Sequence, residues 1–267
     1  MSAQLSGTVH ASALVTAREE LSPVSLTELE RRAGLLQRQD EKYLLTDVAA
    51  ARLIGTLAGR YDVLEIGDAR GFHYDSIYLD TQDLRVYREH VQGRRLRWKA
   101  RTRRYGQGPL CFREIKLKGS GGSTVKLREP CPVEQHGWAG PALHDFVDRS
   151  LRQHYGVGLD AHLTASVSVR YERTTLVSRD GVERLTLDRG LELRDAHGRS
   201  CGVLRPELVL AEVKRPGARG EADRLLAARG VRPVAMSKYG IGVALSHPEL
   251  GRHELRPVLR AGFADAA

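Results

Sequence analysis

The sequence predicts an α+β fold in which about eight antiparallel strands form a barrel or a strongly curled sheet, with helices packed on the outside. Segments that alternate apolar and polar residues, as strands do, follow one another along the chain. Helix-like segments interrupt them at three or four points, which does not fit the regular alternation of a parallel sheet. At 267 residues, the chain is long enough for one large domain with a sizeable core.

The N-terminal segment, residues 1–30, is expected to be a partly disordered tail that ends in a short helix. Its first 20 residues are small and polar, as loose termini often are. Thr27 and Glu30 have the spacing of a capping box, which predicts the start of that helix. A single domain is then expected over residues 31–250. An Arg-, Pro- and Ala-rich tail, predicted to be disordered, follows over residues 251–267.

Strands account for most of the predicted domain. They are predicted over residues 38–45, 73–80, 85–89, 94–104, 110–118, 123–129, 164–178, 183–194 and 207–214. Helices are predicted over residues 46–60, 141–155, 221–229 and 238–246.

One predicted strand carries a cation at every second position. These cations are Arg95, Arg97, Lys99, Arg101 and Arg103. Because side chains alternate between the two faces of a strand, all five point the same way, about 7 Å apart. Like charges at this spacing repel one another unless an anion lies along them. The row therefore predicts binding of a long or multiply charged anion, and phosphate chains are the leading candidate.

Other predicted strands repeat this arrangement of charges on one face and apolar residues on the other. The charged or polar positions are Glu114, Lys116 and Lys118; Lys126 and Arg128; Thr186, Asp188, Glu192 and Arg194; and Glu212 and Lys214. A face exposed to water explains any single row equally well. The whole set instead favours helices over the apolar faces and charges that point into the barrel.

The composition limits the partners and the compartment. The formal net charge of +9 fits nucleic acid, polyphosphate, a nucleotide or an anionic membrane surface. Aromatic residues make up only 6% of the chain, which argues against nucleic acid because base stacking needs exposed rings. Three cysteines without CxxC spacing, no signal peptide and no apolar run of about 20 residues predict a cytoplasmic protein without a membrane span. The oligomeric state stays open.

A series of short motifs then appears in a fixed order. They are Glu41-Lys-Tyr43, Ser76-Ile-Tyr-Leu-Asp80, Arg95-Leu-Arg-Trp98, Glu114-Ile-Lys116, Val125-Lys-Leu-Arg128, Arg170-Tyr-Glu-Arg173, Leu187-Asp188, Glu212-Val-Lys214 and Ser237-Lys-Tyr239. Over residues 35–245 the series resembles the VTC domain, the catalytic domain of the fungal vacuolar transporter chaperone, in its bacterial stand-alone form. The resemblance implies membership of the triphosphate tunnel metalloenzymes, a CYTH-like superfamily whose fold is an eight-stranded antiparallel tunnel.

Matching these motifs residue by residue implies a set of site residues. Those assigned to the reacting centre are Lys42, Arg95, Arg97, Lys116, Arg173 and Lys214, and those assigned to substrate binding are Lys126, Arg128, Tyr171, Ser237 and Lys238. Glu212 matches the metal ligand of the family, with Glu114 and Asp40 as lesser candidates, and the implied cofactor is a divalent metal, Mn²⁺ or Mg²⁺. Arg101, Arg103 and Arg104 are expected past the end of the strand, on the rim of the tunnel.

The activity that the resemblance implies is that of an ATP:polyphosphate phosphotransferase, which lengthens inorganic polyphosphate from ATP. The expected partners are ATP, polyphosphate, and phosphate or pyrophosphate. Two alternatives stay open: a tunnel hydrolase of triphosphate or polyphosphate, and a non-catalytic module that binds polyphosphate or RNA. The wider superfamily opens with Glu-x-Glu-x-Lys, whereas here the motif reads Arg38-Gln-Asp40-Glu-Lys42. The missing acid weakens the prediction of a two-metal hydrolase.

Overall fold

The structure, a computed structural model, describes residues 12–33, 39–119, 124–250 and 253–263. Its strands are β1 (Ser22–Val24), β2 (Gln39–Thr46), β3 (Tyr61–Leu64), β4 (Phe72–Asp80), β5 (Trp98–Tyr105), β6 (Cys111–Lys118), β7 (Thr124–Pro130), β8 (Thr164–Ser178), β9 (Arg184–Arg194), β10 (Ser200–Val203) and β11 (Leu208–Arg215). Its α-helices are α1 (Ala13–Glu19), α2 (Leu26–Ala33), α3 (Asp47–Leu57), α4 (Arg85–Val91), α5 (Pro141–Tyr155), α6 (Glu221–Ala228), α7 (Lys238–Ser246) and α8 (Arg256–Gly262).

Eight long strands form the main sheet, in the order β2-β11-β9-β8-β4-β5-β6-β7, and each neighbouring pair is antiparallel. In the described part of the chain, the two outer strands β2 and β7 do not pair with each other, so hydrogen bonds do not close the sheet. The sheet nevertheless curls round, because Asp40 of β2 lies 3.7 Å from Lys116 of β6, near the opposite edge. This architecture confirms the predicted antiparallel tunnel-like sheet with helices outside.

Helices cover the outer face of the sheet in three places. Helices α1, α3 and α6 pack on β2, β9 and β11, α7 and α8 pack on β8 and β9, and α5 packs on β5 and β6. Along β5, for example, Trp98 and Ala100 face outward against Phe146 and Val147 of α5. Burial of a Leu- or Phe-sized side chain stabilises a fold by about 1.5–3 kcal/mol. The packing of these helices therefore keeps the apolar face of the sheet on the outside. The charged face of the sheet therefore points inward.

The prediction of a strand over residues 85–89 is wrong, because this segment belongs to helix α4. Both carboxylate oxygens of Asp80 accept backbone N–H groups at the start of the helix, from Val86 at 2.9 Å and Tyr87 at 3.0 Å. The hydroxyl of Thr81 accepts the N–H of Arg85 at 2.8 Å. These oxygens satisfy the first-turn donors that a helix leaves without backbone partners.

The strand predicted over residues 94–104 begins at Trp98, four residues later than predicted. Helix α4 ends at Val91, and Gly93 follows with φ of +67°, a left-handed conformation that glycine adopts without steric cost. Residues 94–97 form the turn that leads into β5. Arg95 and Arg97 therefore do not continue the cationic row of β5.

The described parts of both terminal segments are ordered, in contrast to the predicted tails. Leu14 of α1 is buried in the cluster around α3, and Asp47 accepts the N–H of Ala13 at 2.6 Å. At the other end, Val258 and Leu259 of α8 and the following Phe263 are buried against α7 and β9. Both segments contain apolar residues that pack against the domain, although the first is largely small and polar and the second is rich in Arg, Pro and Ala. The domain boundaries themselves stay a prediction.

Candidate functional site

The inward face of the sheet surrounds a cavity of about 1230 Å³. Each of the eight long strands contributes at least one lining side chain. Among the described residues, eleven basic side chains line the cavity, namely Lys42, Lys99, Arg101, Arg103, Lys116, Lys126, Arg128, Arg173, Arg184, Lys214 and Lys238. Four acidic side chains line it as well, namely Glu30, Asp40, Glu114 and Glu212. The excess of cations makes the interior a binding place for a polyanion.

A second cavity of about 860 Å³ adjoins the first. The two share Asp40, Lys42, Lys99, Lys116, Thr124 and Ser237. The remaining wall of the second cavity combines cations such as Arg97 and Lys118 with apolar side chains such as Val91 and Met236. An extended anion that enters one cavity can therefore continue into the other along a line of lysines.

Glu212 of β11, the strand next to the edge strand β2, lies between two lysines. One of its carboxylate oxygens is 2.9 Å from Nζ of Lys214, and the other is 3.7 Å from Nζ of Lys42 on β2. Burial alone would raise the pKa of Glu212, but Lys214, Lys42 and more distant cations outweigh it and hold this pKa well below its usual value. Burial lowers the pKa of Lys214 to about 7, against the opposing effect of Glu212. Glu212 therefore stays negatively charged, whereas the neighbouring Lys214 loses its proton at a lower pH than an ordinary lysine does.

Glu114 of β6 is held by cations from both neighbouring strands. Arg101 of β5 donates to one carboxylate oxygen from Nε at 2.7 Å and from Nη2 at 2.5 Å. Lys126 of β7 donates to the other oxygen at 2.6 Å, and Tyr105 donates to it at 3.3 Å. Burial would raise the pKa of Glu114, but Arg101, Arg103 and Lys126 lower it far more. Glu114 therefore balances charge inside the sheet.

Asp188 of β9 has the same function on the other side of the cavity. Arg173 of β8 donates to its two oxygens at 2.6 and 2.8 Å, a bidentate pair, and Lys238 donates at 2.5 Å. The Arg173 guanidinium also lies 5.2 Å from the centre of the Tyr171 ring, and Nζ of Lys238 lies 4.6 Å from it. The carboxylate and the ring fix two cations in place on the wall of the cavity.

Lys99 has a different environment. Its Nζ contacts Nε2 of His90 at 2.8 Å and donates to the Ser237 hydroxyl at 3.2 Å. Ser237 is the N-cap of α7, and its hydroxyl accepts the N–H of Gly240 at 3.0 Å. This contact brings β5, α4 and α7 together where the two cavities meet.

The structure brings most of the predicted site residues to the two cavities. These are Asp40, Lys42, Glu114, Lys116, Lys126, Arg128, Tyr171, Arg173, Glu212, Lys214, Ser237 and Lys238 in the first, and Arg97 in the second. Arg95 is exposed in the turn before β5 and lines neither cavity. Its predicted place at the reacting centre does not fit this position.

Arg101 and Arg103 lie deep in the first cavity, and the expectation that they occupy the rim is wrong. Arg103 donates to the Ser76 hydroxyl at 2.9 Å and to the Tyr171 hydroxyl at 3.1 Å. Arg104 faces the other way and donates to backbone oxygens of the following turn. The alternation along β5 was sufficient to find both interior arginines, since it runs from Lys99 to Arg103 without a break.

The described residues contain no group of three or more His, Cys, Asp and Glu side chains that could hold a metal ion. Both carboxylate oxygens of Glu114 and of Asp188 accept hydrogen bonds from Arg or Lys side chains. One oxygen of Glu212 approaches a lysine only to 3.7 Å, as does one oxygen of Asp40. Glu212 and Asp40 are therefore the carboxylates closest to a metal-binding function. Mg²⁺ and similar ions commonly bind through one or two carboxylates and complete their coordination with substrate phosphates. The residues present fit a divalent metal of that kind, which would be held by Glu212 together with phosphate oxygens.

No helix in the described ranges combines the length and the apolar composition needed to cross a membrane.

Comparison with solved structures finds proteins of similar shape at low sequence identity. HpAC1 from Hippeastrum, an adenylyl cyclase candidate described as having a dominant triphosphatase activity, is 17% identical with a TM-score of 0.48, over 77% of this chain and 94% of its own. An adenylate cyclase candidate from Bacillus halodurans is 12% identical with a TM-score of 0.46, over 75% of this chain and 95% of its own. The PH1819 protein from Pyrococcus horikoshii is 13% identical with a TM-score of 0.45, over 80% and 99%. Nothing about function is drawn from scores at this level.

No protein of curated function matches the chain. A family model does match it, and this is the model of the VTC domain, over residues 37–247. The matched range contains all eight strands of the main sheet and every cation that lines the first cavity. The chain belongs to the VTC domain family.

Proposed function

We propose that the protein is a polyphosphate polymerase that transfers the γ-phosphate of ATP to the end of an inorganic polyphosphate chain. The observation that carries the proposal is the cavity of about 1230 Å³, which is lined within the described residues by ten basic side chains from the sheet and by Lys238 from α7. ATP and a phosphate chain are both polyanions, and their mutual repulsion is the main obstacle to the reaction. A cavity of fixed cations offsets that repulsion and holds both substrates in one place.

The cations act by binding and orienting phosphate oxygens. The attacking group is an oxygen of the terminal phosphate of the chain, which is already anionic, so no side chain has to remove a proton from it. Lys42 and Lys214 lie beside Glu212 and would hold the reacting phosphate, whereas Arg101 and Arg103 would bind its neighbours. A divalent metal at Glu212 would neutralise part of the charge that builds up on the transferred phosphoryl group.

The buried carboxylates favour the transferase over the hydrolase. A hydrolase needs a group that positions or deprotonates a water molecule. Glu114 and Asp188 are poor candidates, because Arg and Lys side chains occupy both oxygens of each and hold both pKa values low against the effect of burial. Arg38, whose replacement of an acid also favours the transferase, lies outside the described residues.

The test incubates the purified protein with ATP and Mn²⁺ or Mg²⁺, resolves the products on a gel stained for polyphosphate, and measures ADP and free phosphate. The expected result is a polyphosphate ladder with matching ADP, which Glu212→Gln abolishes. The matched control is Glu192→Gln, because Glu192 also lies on a strand and pairs with a cation, Arg194, but lines neither cavity. Free phosphate without a ladder would support the hydrolase. Tight polyphosphate binding without either product, retained in Glu212→Gln, would support a binding module.

A further inference from the structure

The contact between Lys99 and His90 limits the charge that the two side chains can carry. Nζ of Lys99 lies 2.8 Å from Nε2 of His90, which is hydrogen-bond distance. A hydrogen bond needs an acceptor lone pair, and neither an ammonium group nor a doubly protonated imidazole has one. The pair can therefore hold one positive charge while the contact persists, but not two.

The surroundings of this pair are cationic and offer no carboxylate to Lys99. Within the described residues, no Asp or Glu oxygen lies within salt-bridge distance of Lys99. The cations that act on it are Lys42 of β2, Arg97 and Arg101 on either side of it along the chain, and Lys116 of β6. Asp40, Glu41, His253 and Glu254 also line the second cavity. Burial, followed by these cations, lowers the pKa of Lys99 well below its usual value. Burial, followed by the charges of Lys99, Arg97, Lys116 and Lys42, lowers the pKa of His90 to about 3.

An oxyanion bound here would act on the pKa of Lys99 in the opposite direction to the surrounding cations. Lys99 donates to the Ser237 hydroxyl, and Ser237 begins the nine-residue helix α7, whose N-terminal end favours negative charge. A tetrahedral oxyanion beside Lys99 and Ser237 would meet an ammonium, a hydroxyl and the helix end together. Its charge would favour the ammonium form of Lys99, with neutral His90 as the acceptor, because an opposite charge within a few ångströms stabilises the charged form. This is the single positive charge that the contact allows.

We propose that Lys99 and His90 form a proton-coupled site for an oxyanion of the phosphate class, in which the anion binds at Lys99 and Ser237 and the pair takes up a proton with it. The proposal rests on the proposed function only for the identity of the natural anion, a phosphate unit of the substrate chain. It predicts that the affinity for the anion falls as pH rises. The fall is expected between the titration midpoints of the empty and the occupied site, and it amounts to up to about tenfold per pH unit for one linked proton.

The first test measures the titration of individual lysines in the intact protein by competitive labelling with acetic anhydride and mass spectrometry of the peptides. Lys99 is expected to become reactive well below pH 10.5, the ordinary pKa of a lysine. Sulfate, whose double negative charge is constant over this range, is expected to move the midpoint of Lys99 upward. A Lys99 midpoint at the ordinary lysine value, or one that sulfate does not move, would overturn the proposal.

The second test counts protons by calorimetry of sulfate binding in two buffers with different ionisation enthalpies. Lys126 and Lys214 also titrate low, at about 8 and about 7, so the wild-type protein alone is not decisive. Lys99→Arg keeps a permanent charge and Lys99→Met removes it, and both are expected to take up fewer protons than wild type by up to one. Lys238→Met, which removes a lysine that binds Asp188, is the control for a general loss of positive charge and is expected to bind sulfate more weakly. Unchanged uptake in both Lys99 variants would refute the proton coupling.

The two proposals fail in distinguishable ways. A protein that makes no polyphosphate but takes up a proton at Lys99 on binding sulfate would contradict the polymerase and leave the oxyanion site in place. A protein that makes polyphosphate but binds sulfate without that proton uptake would support the polymerase and contradict the proton-coupled site.

Discussion

Arg101 and Glu114 face each other across β5 and β6, and two N–H groups of the arginine donate to the same carboxylate oxygen, at 2.7 and 2.5 Å. Lys126, on the next strand, occupies the other oxygen at 2.6 Å. One carboxylate, 2% exposed, therefore connects three strands and sets the spacing of cations that would otherwise repel one another. Glu114 explains how a sheet with so many inward cations can fold before any phosphate binds.

Replacement of Glu114 by Gln should lower the free energy of unfolding by about 3–5 kcal/mol, because it leaves buried cations without their counter-charge. Saturating sulfate should restore more stability to this variant than to wild type, since the anion then supplies the missing charge. Urea unfolding with and without sulfate measures both effects. Glu129→Gln is the control, because Glu129 also binds two arginines but is 30% exposed, and a surface pair contributes about 1 kcal/mol or less. Equal losses in the two variants would contradict the prediction.

The pKa of Lys214 predicts how stability depends on pH. In the folded protein this pKa is about 7, against 10.5 for an ordinary lysine. Between these values the unfolded chain binds a proton that the folded protein lacks, so this lysine makes stability rise with pH across the window. Below pH 7 both states bind the proton, and the contribution has no slope.

Lys214→Met should therefore reduce the gain in unfolding free energy between pH 7 and pH 9, as measured by urea titration at each pH. The control is Lys116→Met, whose side chain is 54% exposed in the same cavity and which should keep the wild-type slope. A Lys214→Met slope that matches wild type would show that the lysine keeps its ordinary pKa in the fold.

Arg101 and Arg103, and not Arg95, should bind the triphosphate. Arg101→Met and Arg103→Met should each weaken tripolyphosphate binding by about tenfold to a hundredfold, the usual effect of losing a hydrogen bond to a charged group. Arg95→Met should change it by less than about twofold, because Arg95 lines neither cavity. Calorimetry on variants whose circular dichroism shows a folded sheet measures the affinities. Weaker binding in Arg95→Met alone would restore the assignment that the motif suggested.

The sequence was sufficient for the long elements because their periodicity is strong. Helices over residues 141–155 and 238–246 were predicted to the residue, and the alternation of β8 and β9 was clear. The short segment 85–89 was ambiguous because five residues with one apolar pair are too few to distinguish the period of a strand from that of a helix. The deciding groups were the oxygens of Asp80 and Thr81, which cap helix α4.

The site was predictable as a set of residue types but not as a set of pairs. Arg95-Leu-Arg97 and Arg101-Thr-Arg103 have the same spacing, so a motif alone cannot choose between them. The choice depends on where β5 starts, and α4 together with Gly93 fixes that point. The carboxylates that hold the cations were harder still, because the pairing of Asp188 with Lys238 joins residues 50 positions apart in the sequence.

The C-terminal segment gives the last prediction. Phe263 is 2% exposed and lies in the cluster with Leu204, Val258 and Leu259, so it belongs to the core of the domain. Phe263→Ala should lower the free energy of unfolding by about 3–5 kcal/mol, through lost burial and the cavity that remains. Val203→Ala, at a position 43% exposed beside the same cluster, should change it by about 0.5 kcal/mol or less. Urea unfolding of both variants decides the point: equal, small effects would mean that residues 253–263 are the loose tail that their composition suggested.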